Sequence, residues 1–138
     1  MFPFIMSDAV ASRVGDLPLR PIPAIPAHLT LAAARKVAAL KRIALLLVES
    51  EEQLVGILDE RALAATADQV TVAAVMKPLE LYLRPATTVT AARDLFLQTR
   101  AAILPVVAGG FVLGAITRGD IERAQPNRAP AEPRSRTA

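Results

Sequence analysis

The residue types best suited to bind a ligand occur together in one short segment, residues 114–120, which contains Gly114, Thr117, Arg118 and Asp120. We expect a strand to end at Ile116 and a helix to begin at Thr117. The first N–H groups of a helix lack partners and carry partial positive charge, which suits a phosphate. Arg118 could add a charge-assisted hydrogen bond to that phosphate. Asp120 could accept hydrogen bonds from the two hydroxyls of a ribose.

The same residues also have an interpretation that needs no ligand. Thr-x-x-Asp is close to a capping box, in which Thr117 and Asp120 would satisfy the free N–H groups at the start of the helix. The two interpretations are compatible, and the motif alone leaves both open. Gly114 would let the preceding strand approach other backbone closely.

An internal repeat surrounds this motif. At a shift of 58 residues, positions 14–63 align with 72–121 without a gap, and ten of the fifty aligned positions are identical. The identities include Thr30 with Thr88, Arg35 with Arg93, and Gly56 with Gly114. Apolar character is kept at many other pairs, so the chain carries two copies of one structural unit.

Each copy predicts the same order of elements, β-α-β-β-α. A proline-containing extended segment comes first, at 18–26 and at 78–85. A helix follows, with Thr30 or Thr88 as its N-cap. Next comes a hairpin, 43–48 with 53–58 around a turn at 49–52, or 103–108 with 111–116 around Gly109-Gly110. A second helix opens near Asp59 in copy one and near Thr117 in copy two.

These elements divide the chain into five parts. Residues 1–13 form an N-terminal segment, for which the sequence predicts a short helix capped at Ser7. Copy one spans 14–63, a linker spans 64–71, and copy two spans 72–124. Residues 125–138 hold three prolines, three arginines and almost no large apolar side chain, which is typical of a disordered tail.

The repeated pattern resembles the cystathionine-beta-synthase (CBS) domain in its usual tandem arrangement, the Bateman module. The resemblance rests on residues 72–77, 85–89, 103–107 and 114–121 of copy two. It implies an α/β (α+β) fold, with two β-α-β-β-α repeats packed sheet to sheet about a pseudo-twofold axis. It also implies two clefts for adenosine-containing ligands such as AMP, ADP, ATP or S-adenosylmethionine, and assembly into a homodimer.

The resemblance assigns the ligand site to copy two. Its expected residues are Thr117, Arg118, Asp120, Met76, Lys77, Ile103, Leu104 and Pro105, the adenine lying against the Met76 segment and the strand from Ile103. Copy one departs from the pattern, because Asp59 and Ala62 stand where copy two has Thr117 and Asp120. Pro18-Leu19 also takes the place of Met76-Lys77. We therefore expect the first cleft to be empty or to bind something other than a nucleotide.

Composition excludes several other classes of function. The 138 residues contain no cysteine and a single histidine, His28, so thiolate and multi-histidine metal sites are excluded. Aromatic residues make up only 4%, and most of the net charge of +3 falls in the tail, which argues against nucleic-acid binding. The longest apolar run, 43–48, is far shorter than the ~20 residues of a membrane helix. We expect a soluble, cytoplasmic protein.

Two functions remain after these exclusions. With no nucleophile–base pair, metal cluster or Walker-type glycine loop, we do not expect an enzyme or an obligatory cofactor. The intact Thr117 and Asp120 favour a regulatory module that senses an adenosine-containing nucleotide and acts on an unknown regulated protein. The altered copy one favours the alternative, a dimerisation or protein-interaction module that has lost nucleotide binding. The alanine-rich helices predict a homodimer in either case.

Overall fold

The computed structural model describes residues 12–65 and 67–124. The predicted N-terminal helix capped at Ser7 and the predicted disordered tail lie outside the described residues. The strands are β1 (Ala24–Pro26), β2 (Leu46–Ser50), β3 (Gln53–Leu58), β4 (Ile103–Ala108) and β5 (Phe111–Thr117). The helices are α1 (Leu31–Lys41), α2 (Glu60–Leu63), α3 (Val72–Val75), α4 (Val89–Thr99) and α5 (Arg118–Ala124), and residues Val14–Asp16 form a 3₁₀ turn. The predicted mixed α+β class is confirmed.

The chain forms two compact units whose boundaries differ from those of the sequence repeats. One is built from residues 12–20 together with residues 82–124, and we call it the discontinuous unit. The other, the continuous unit, spans Pro21–Leu81. Each unit therefore contains the helix and hairpin of one sequence copy and the first residues of the other copy. We call these first residues, 14–20 of copy one and 72–81 of copy two, the leading segments.

In the continuous unit, β1 runs parallel to β2, and β2 runs antiparallel to β3. The predicted N-cap of α1 is confirmed, since the Thr30 hydroxyl accepts the Ala33 N–H at 3.2 Å. Apolar side chains of the helix and the strands form one core, which contains Leu31, Ala34, Leu46, Val48 and Leu58.

In the discontinuous unit, β4 and β5 form an antiparallel hairpin. The predicted N-cap of α4 is also confirmed, because the Thr88 hydroxyl accepts the Ala91 N–H at 3.0 Å. Val89, Ala92 and Phe96 recur on one face of α4, which is the spacing of a buried helical stripe. They pack into a core with strand residues such as Leu104 and Ile116.

The two hairpins have the same two-residue turn, which corrects the longer turn predicted at 49–52. Gly109 and Gly110 have φ of 58° and 81°, and Glu51 and Glu52 have φ of 53° and 65°. Positive φ at both central positions matches the twist of a tight hairpin. Glutamate rarely adopts this conformation. The sequence of copy one therefore carried no sign of the shorter turn.

The proline-containing segments form less strand than predicted. In copy one the only strand in the segment 18–26 is β1, beside an isolated bridge from Arg20 to Ala115, and the first strand of the hairpin starts at Leu46 instead of residue 43. In copy two the segment 78–85 forms no strand. Its one ladder contact is a bridge from Leu83 to Val106, with the Leu83 N–H donating to the Pro105 carbonyl at 2.8 Å. The prolines explain this difference, because each removes a backbone donor.

The leading segments are exchanged between the copies. Val14 begins copy one, yet it is fully buried in the core of the discontinuous unit with Phe96 and Ile116. Val72 begins copy two and is buried in the core of the continuous unit. Backbone bridges join the same segments to the hairpins, Arg20 to Ala115 and Lys77 to Ile57. Among the described residues no helix is long and apolar enough to cross a membrane.

Candidate functional site

The junction of β5 and α5 holds the Thr117–Asp120 pair in a reciprocal capping box. The Thr117 hydroxyl accepts the Asp120 N–H at 3.1 Å, and Asp120 Oδ2 accepts the Thr117 N–H at 3.0 Å. Two N–H groups at the helix start are thereby satisfied without a ligand. The capping interpretation of the motif is confirmed, and it fixes the Asp120 carboxylate at the point where the strand becomes a helix.

Two arginines that the sequence analysis did not single out surround this carboxylate. Arg20 forms a fork with it, Nε to Oδ2 at 3.0 Å and Nη2 to Oδ1 at 2.8 Å. Arg123, one turn along α5, also donates to Oδ1. The hydrogen bonds from Arg20 hold the pKa of Asp120 down at about 2, against the cost of burial and with help from Thr117. The same partnership raises the pKa of Arg20.

This ion pair predicts a loss of stability in acid. The pKa of Asp120 is about 2 in the folded chain and 3.8 in its ordinary state, so its contribution is complete above about pH 4 and lost towards pH 2. Arg20, whose pKa is raised, stays charged throughout this window. The half-exposed Arg20 leaves the pair screened by solvent, which keeps the contribution below about 2 kcal/mol.

Thermal unfolding of wild type and Asp120→Asn, measured between about pH 5 and about pH 2, tests this expectation. The midpoint of wild type should fall more steeply than that of the variant, because only wild type has this carboxylate to protonate. Parallel curves would contradict a stabilising role for the charge on Asp120.

The Arg118 side chain does not point to the predicted phosphate position beside Thr117. Its Nη2 donates to the carbonyls of Ala101 at 3.0 Å and Phe96 at 3.4 Å, at the end of α4. Its Nε is buried, without a hydrogen-bond partner among the described residues. A cation at the carboxyl end of a helix satisfies free carbonyls and complements the helix dipole. The guanidinium therefore stabilises the end of α4 and is not directed at a phosphate beside Thr117.

The strand expected to contact the adenine presents little side-chain surface. Ile103 pairs with Thr117 in the register of the hairpin and is partly exposed. Leu104 is only 3% exposed and packs in the core with Phe96. Pro105 is also fully buried. Of these three side chains, Ile103 alone has surface beside the junction.

Met76 and Lys77 belong to the continuous unit, whereas Thr117 and Asp120 belong to the discontinuous one. The Lys77 backbone pairs with Ile57 on β3, and its ammonium group lies 2.5 Å from an Asp59 oxygen. The structure thus brings together Thr117, Asp120 and Ile103. It places Met76 and Lys77 at the corresponding junction of the other unit.

The contacts of two glycines correct the alignment of the leading segments. A Cβ on Gly114 would meet Leu19 and Arg20, and a Cβ on Gly56 would meet Met76 and Lys77. Arg20 is thus the counterpart of Lys77, and Leu19 of Met76. The shift in this segment is 57 residues, so the gapless alignment with Pro18-Leu19 was wrong here. Allowing one gap in the alignment pairs Arg20 with Lys77, but it does not place Arg20 beside Asp120.

The junction of copy one carries an ion pair of its own. The Asp59 side chain accepts the Ala62 N–H at 3.0 Å and so caps α2. Burial works to raise the pKa of Asp59, but the bonds from Lys77 and Ala62 outweigh it and the pKa is lowered. Lys77 therefore neutralises the negative charge of Asp59 at this junction. Ala62 still offers no carboxylate for a ribose.

Metal binding has no support at either junction. Among the described residues, no three histidine, aspartate or glutamate side chains are placed to hold an ion. Both junctions hold carboxylates and cations that already pair with each other, and the copy-two junction adds the Thr117 hydroxyl. At the copy-two junction, Asp120 can accept hydrogen bonds from a ligand once one of its present donors leaves, and Arg20 and Arg123 can attract anions.

Comparison with known protein families finds the same domain twice in the chain. The sequence model of the CBS domain matches the chain twice, at residues 14–67 and 72–127. A search of curated proteins finds no match.

Solved structures share the fold. CBSX2 from Arabidopsis thaliana, solved in complex with AMP, is 27% identical with a TM-score of 0.69, over 83% of this chain and 96% of that chain. The CBS-domain containing protein ATU1752 from Agrobacterium tumefaciens is 20% identical with a TM-score of 0.75, over 88% and 98%. The cytosolic domain of the Mg²⁺ channel MgtE, in complex with ATP, is 24% identical with a TM-score of 0.68, over 81% and 48%. The last two likenesses support the fold alone.

Proposed function

Since this chain belongs to the CBS-domain family, as a tandem pair, we propose that it is a regulatory module that binds one adenine nucleotide per chain at the β5–α5 junction. The observation that carries the proposal is the Asp120 carboxylate, held at the start of α5 by the capping box. A carboxylate in this position can accept both hydroxyls of a ribose. Its counterpart Ala62 cannot, and this difference supports a single site.

The ligand class follows from the junction and from one relative. CBSX2, which is 27% identical, is solved with AMP. That complex supports a nucleotide of the AMP type among AMP, ADP, ATP and S-adenosylmethionine. In this proposal Asp120 binds the ribose, Ile103 offers apolar surface, and Arg118 serves the fold by holding the end of α4. The module is regulatory and needs no obligatory cofactor. It acts in the cytoplasm on a regulated protein of unknown identity.

A second candidate function is favoured by a different observation. The Asp120 carboxylate already has intramolecular partners, and Arg118 is turned away from the junction. Both facts suit a module that has kept the fold for protein interaction and has lost nucleotide binding. Under this alternative the junction is a structural cap and ion pair only.

Calorimetric titration with AMP, ADP, ATP and S-adenosylmethionine separates the two functions. We expect saturable binding of at least one of these compounds, with one equivalent per chain. No binding of any of them would favour the interaction module. Two equivalents of similar affinity would contradict the single site, since Ala62 and Asp59 would then have to support a second one.

We extend the proposal to a homodimer formed through the helices. Leu40 on α1 is 80% exposed and Leu97 on α4 is 55% exposed, so each helix offers apolar surface to another subunit. Light scattering across a dilution series measures the assembly. A mass of 14.7 kDa at every concentration would contradict the dimer.

A further inference from the structure

The Asp120 carboxylate has no free acceptor. It receives four hydrogen bonds, two from Arg20, one from Arg123 and one from the Thr117 N–H. An ionised carboxylate offers about four lone-pair sites. The two hydroxyls of a ribose therefore cannot be added to this arrangement. At least one existing donor has to leave before they can bind.

The donors differ in how readily they can leave. The Thr117 N–H belongs to the capping box, and its departure would uncap α5. Arg20 and Arg123 lie on the solvent side, with 48% and 69% of their side chains exposed, so water can replace the carboxylate as their partner. Arg20 occupies both carboxylate oxygens at once through its fork. Its departure frees one acceptor on each oxygen, which is the number that a ribose diol needs.

The main chain of Arg20 stays in place when the side chain moves. Its N–H donates to the Ala115 carbonyl at 2.9 Å, and its carbonyl accepts the Ala115 N–H at 2.8 Å. A guanidinium released from Asp120 therefore remains tethered beside the junction on a flexible stem. With Arg123 it would place two positive charges next to a ligand that has taken the carboxylate. A ligand with phosphate close to its ribose can pair with the released group.

We infer that the Arg20 guanidinium competes with the ligand for the Asp120 carboxylate. Because a ligand has to displace this guanidinium, the site is selective for a nucleoside phosphate over uncharged adenosine or cationic S-adenosylmethionine. This inference rests on the proposed function, because it concerns the same site. Adenosine has to displace the arginine, and it has no phosphate with which the displaced arginine could pair. AMP displaces it and then binds it through the phosphate, so the two compounds differ in affinity by more than their size suggests.

The test is calorimetry of AMP, adenosine and S-adenosylmethionine with wild type and three substitutions of Arg20. In wild type we expect AMP to bind at least tenfold more tightly than either other compound. Arg20→Ala removes both the competitor and the phosphate partner, so adenosine should bind severalfold more tightly and AMP more weakly. The ratio of the two affinities should fall towards one.

Two further variants separate competition from charge. Arg20→Lys keeps the charge but loses the fork, so adenosine should gain affinity while AMP keeps its advantage. Arg20→Gln keeps a hydrogen-bonding side chain without charge and should resemble Arg20→Ala, which covers the case in which the alanine variant fails to fold. Arg93→Ala is the matched control, because Arg93 is an exposed cation of α4 in the same unit and should leave all ratios unchanged.

The possible results distinguish this inference from the proposed function. If AMP binds wild type and the ratio is unchanged in both Arg20→Ala and Arg20→Gln, the inference is overturned and the proposed function stands. If adenosine binds only the Arg20 variants, competition by the arginine is supported in its strongest form. If no compound binds wild type or any folded variant, both are overturned.

Discussion

Replacing Asp120 by alanine is expected to destabilise the chain and to reduce its stabilisation by a nucleotide strongly. Loss of the capping box leaves the Thr117 N–H without its acceptor, which costs about 0.5–2 kcal/mol of unfolding free energy. The two arginine pairs are partly exposed, so their loss adds at most about 1 kcal/mol each. These losses should appear in thermal unfolding without any ligand.

The effect on binding should be larger than the effect on stability. Two ribose hydroxyls lose a charged acceptor, at about 1.5–3 kcal/mol each before water compensates. We expect at least a tenfold weakening of AMP binding, measured by calorimetry and by the AMP-dependent rise in unfolding temperature. A variant that is less stable yet keeps the full AMP-dependent rise would show that Asp120 acts as a cap alone.

Asp94→Ala is the control for this substitution. Asp94 is an exposed carboxylate on α4 in the same unit, so its removal makes the same change in charge away from the junction. We expect neither stability nor AMP binding to change appreciably. A weakening of AMP binding by Asp94→Ala comparable to that by Asp120→Ala would indicate that overall charge, and not the junction, governs the affinity.

Gly114→Ala adds one methyl group at the junction, and we expect it to destabilise the chain more than a methyl group added at any other position there. A Cβ at this position would lie 2.8 Å from the Arg20 carbonyl oxygen and 2.8 Å from the Leu19 Cβ. The backbone of Arg20 cannot retreat without breaking its two hydrogen bonds to Ala115. We expect about 3 kcal/mol of destabilisation, the upper range for overpacking, and a fall in unfolding temperature on the order of 10 °C.

Gly119→Ala provides the matched comparison. Its Cβ would meet the far end of the Arg123 side chain at 3.2 Å and the Thr117 hydroxyl at an ordinary van der Waals distance of 3.8 Å, and Gly119 lies inside α5. Alanine is the better helix former by about 1 kcal/mol. We therefore expect unchanged or slightly higher stability. Equal losses in the two variants would mean that the close approach of residues 19–20 to β5 does not limit stability.

Local sequence was sufficient to predict most elements of this fold. The caps at Thr30 and Thr88 and the Gly109-Gly110 turn were correctly identified, because each depends on residues a few positions apart. The capping box at Thr117 and Asp120 is local in the same sense. Local rules failed at Glu51 and Glu52, where the pairing of β2 with β3 imposes a positive φ that glutamate does not favour by itself.

The surroundings of the candidate site were decided by tertiary contacts. Arg20 reaches Asp120 across 100 positions of sequence, and Arg118 turns towards carbonyls 17 and 22 positions earlier. Neither contact can be predicted from hydrophobic periodicity or from motif spacing. The family resemblance identified the carboxylate but not its partners. The exchange of leading segments, which puts Arg20 beside Ala115 and Lys77 beside Ile57, arises because apolar residues at 14 and 72 are buried by the hairpin and helix of the other copy. Which copy buries which segment depends on how the whole chain packs.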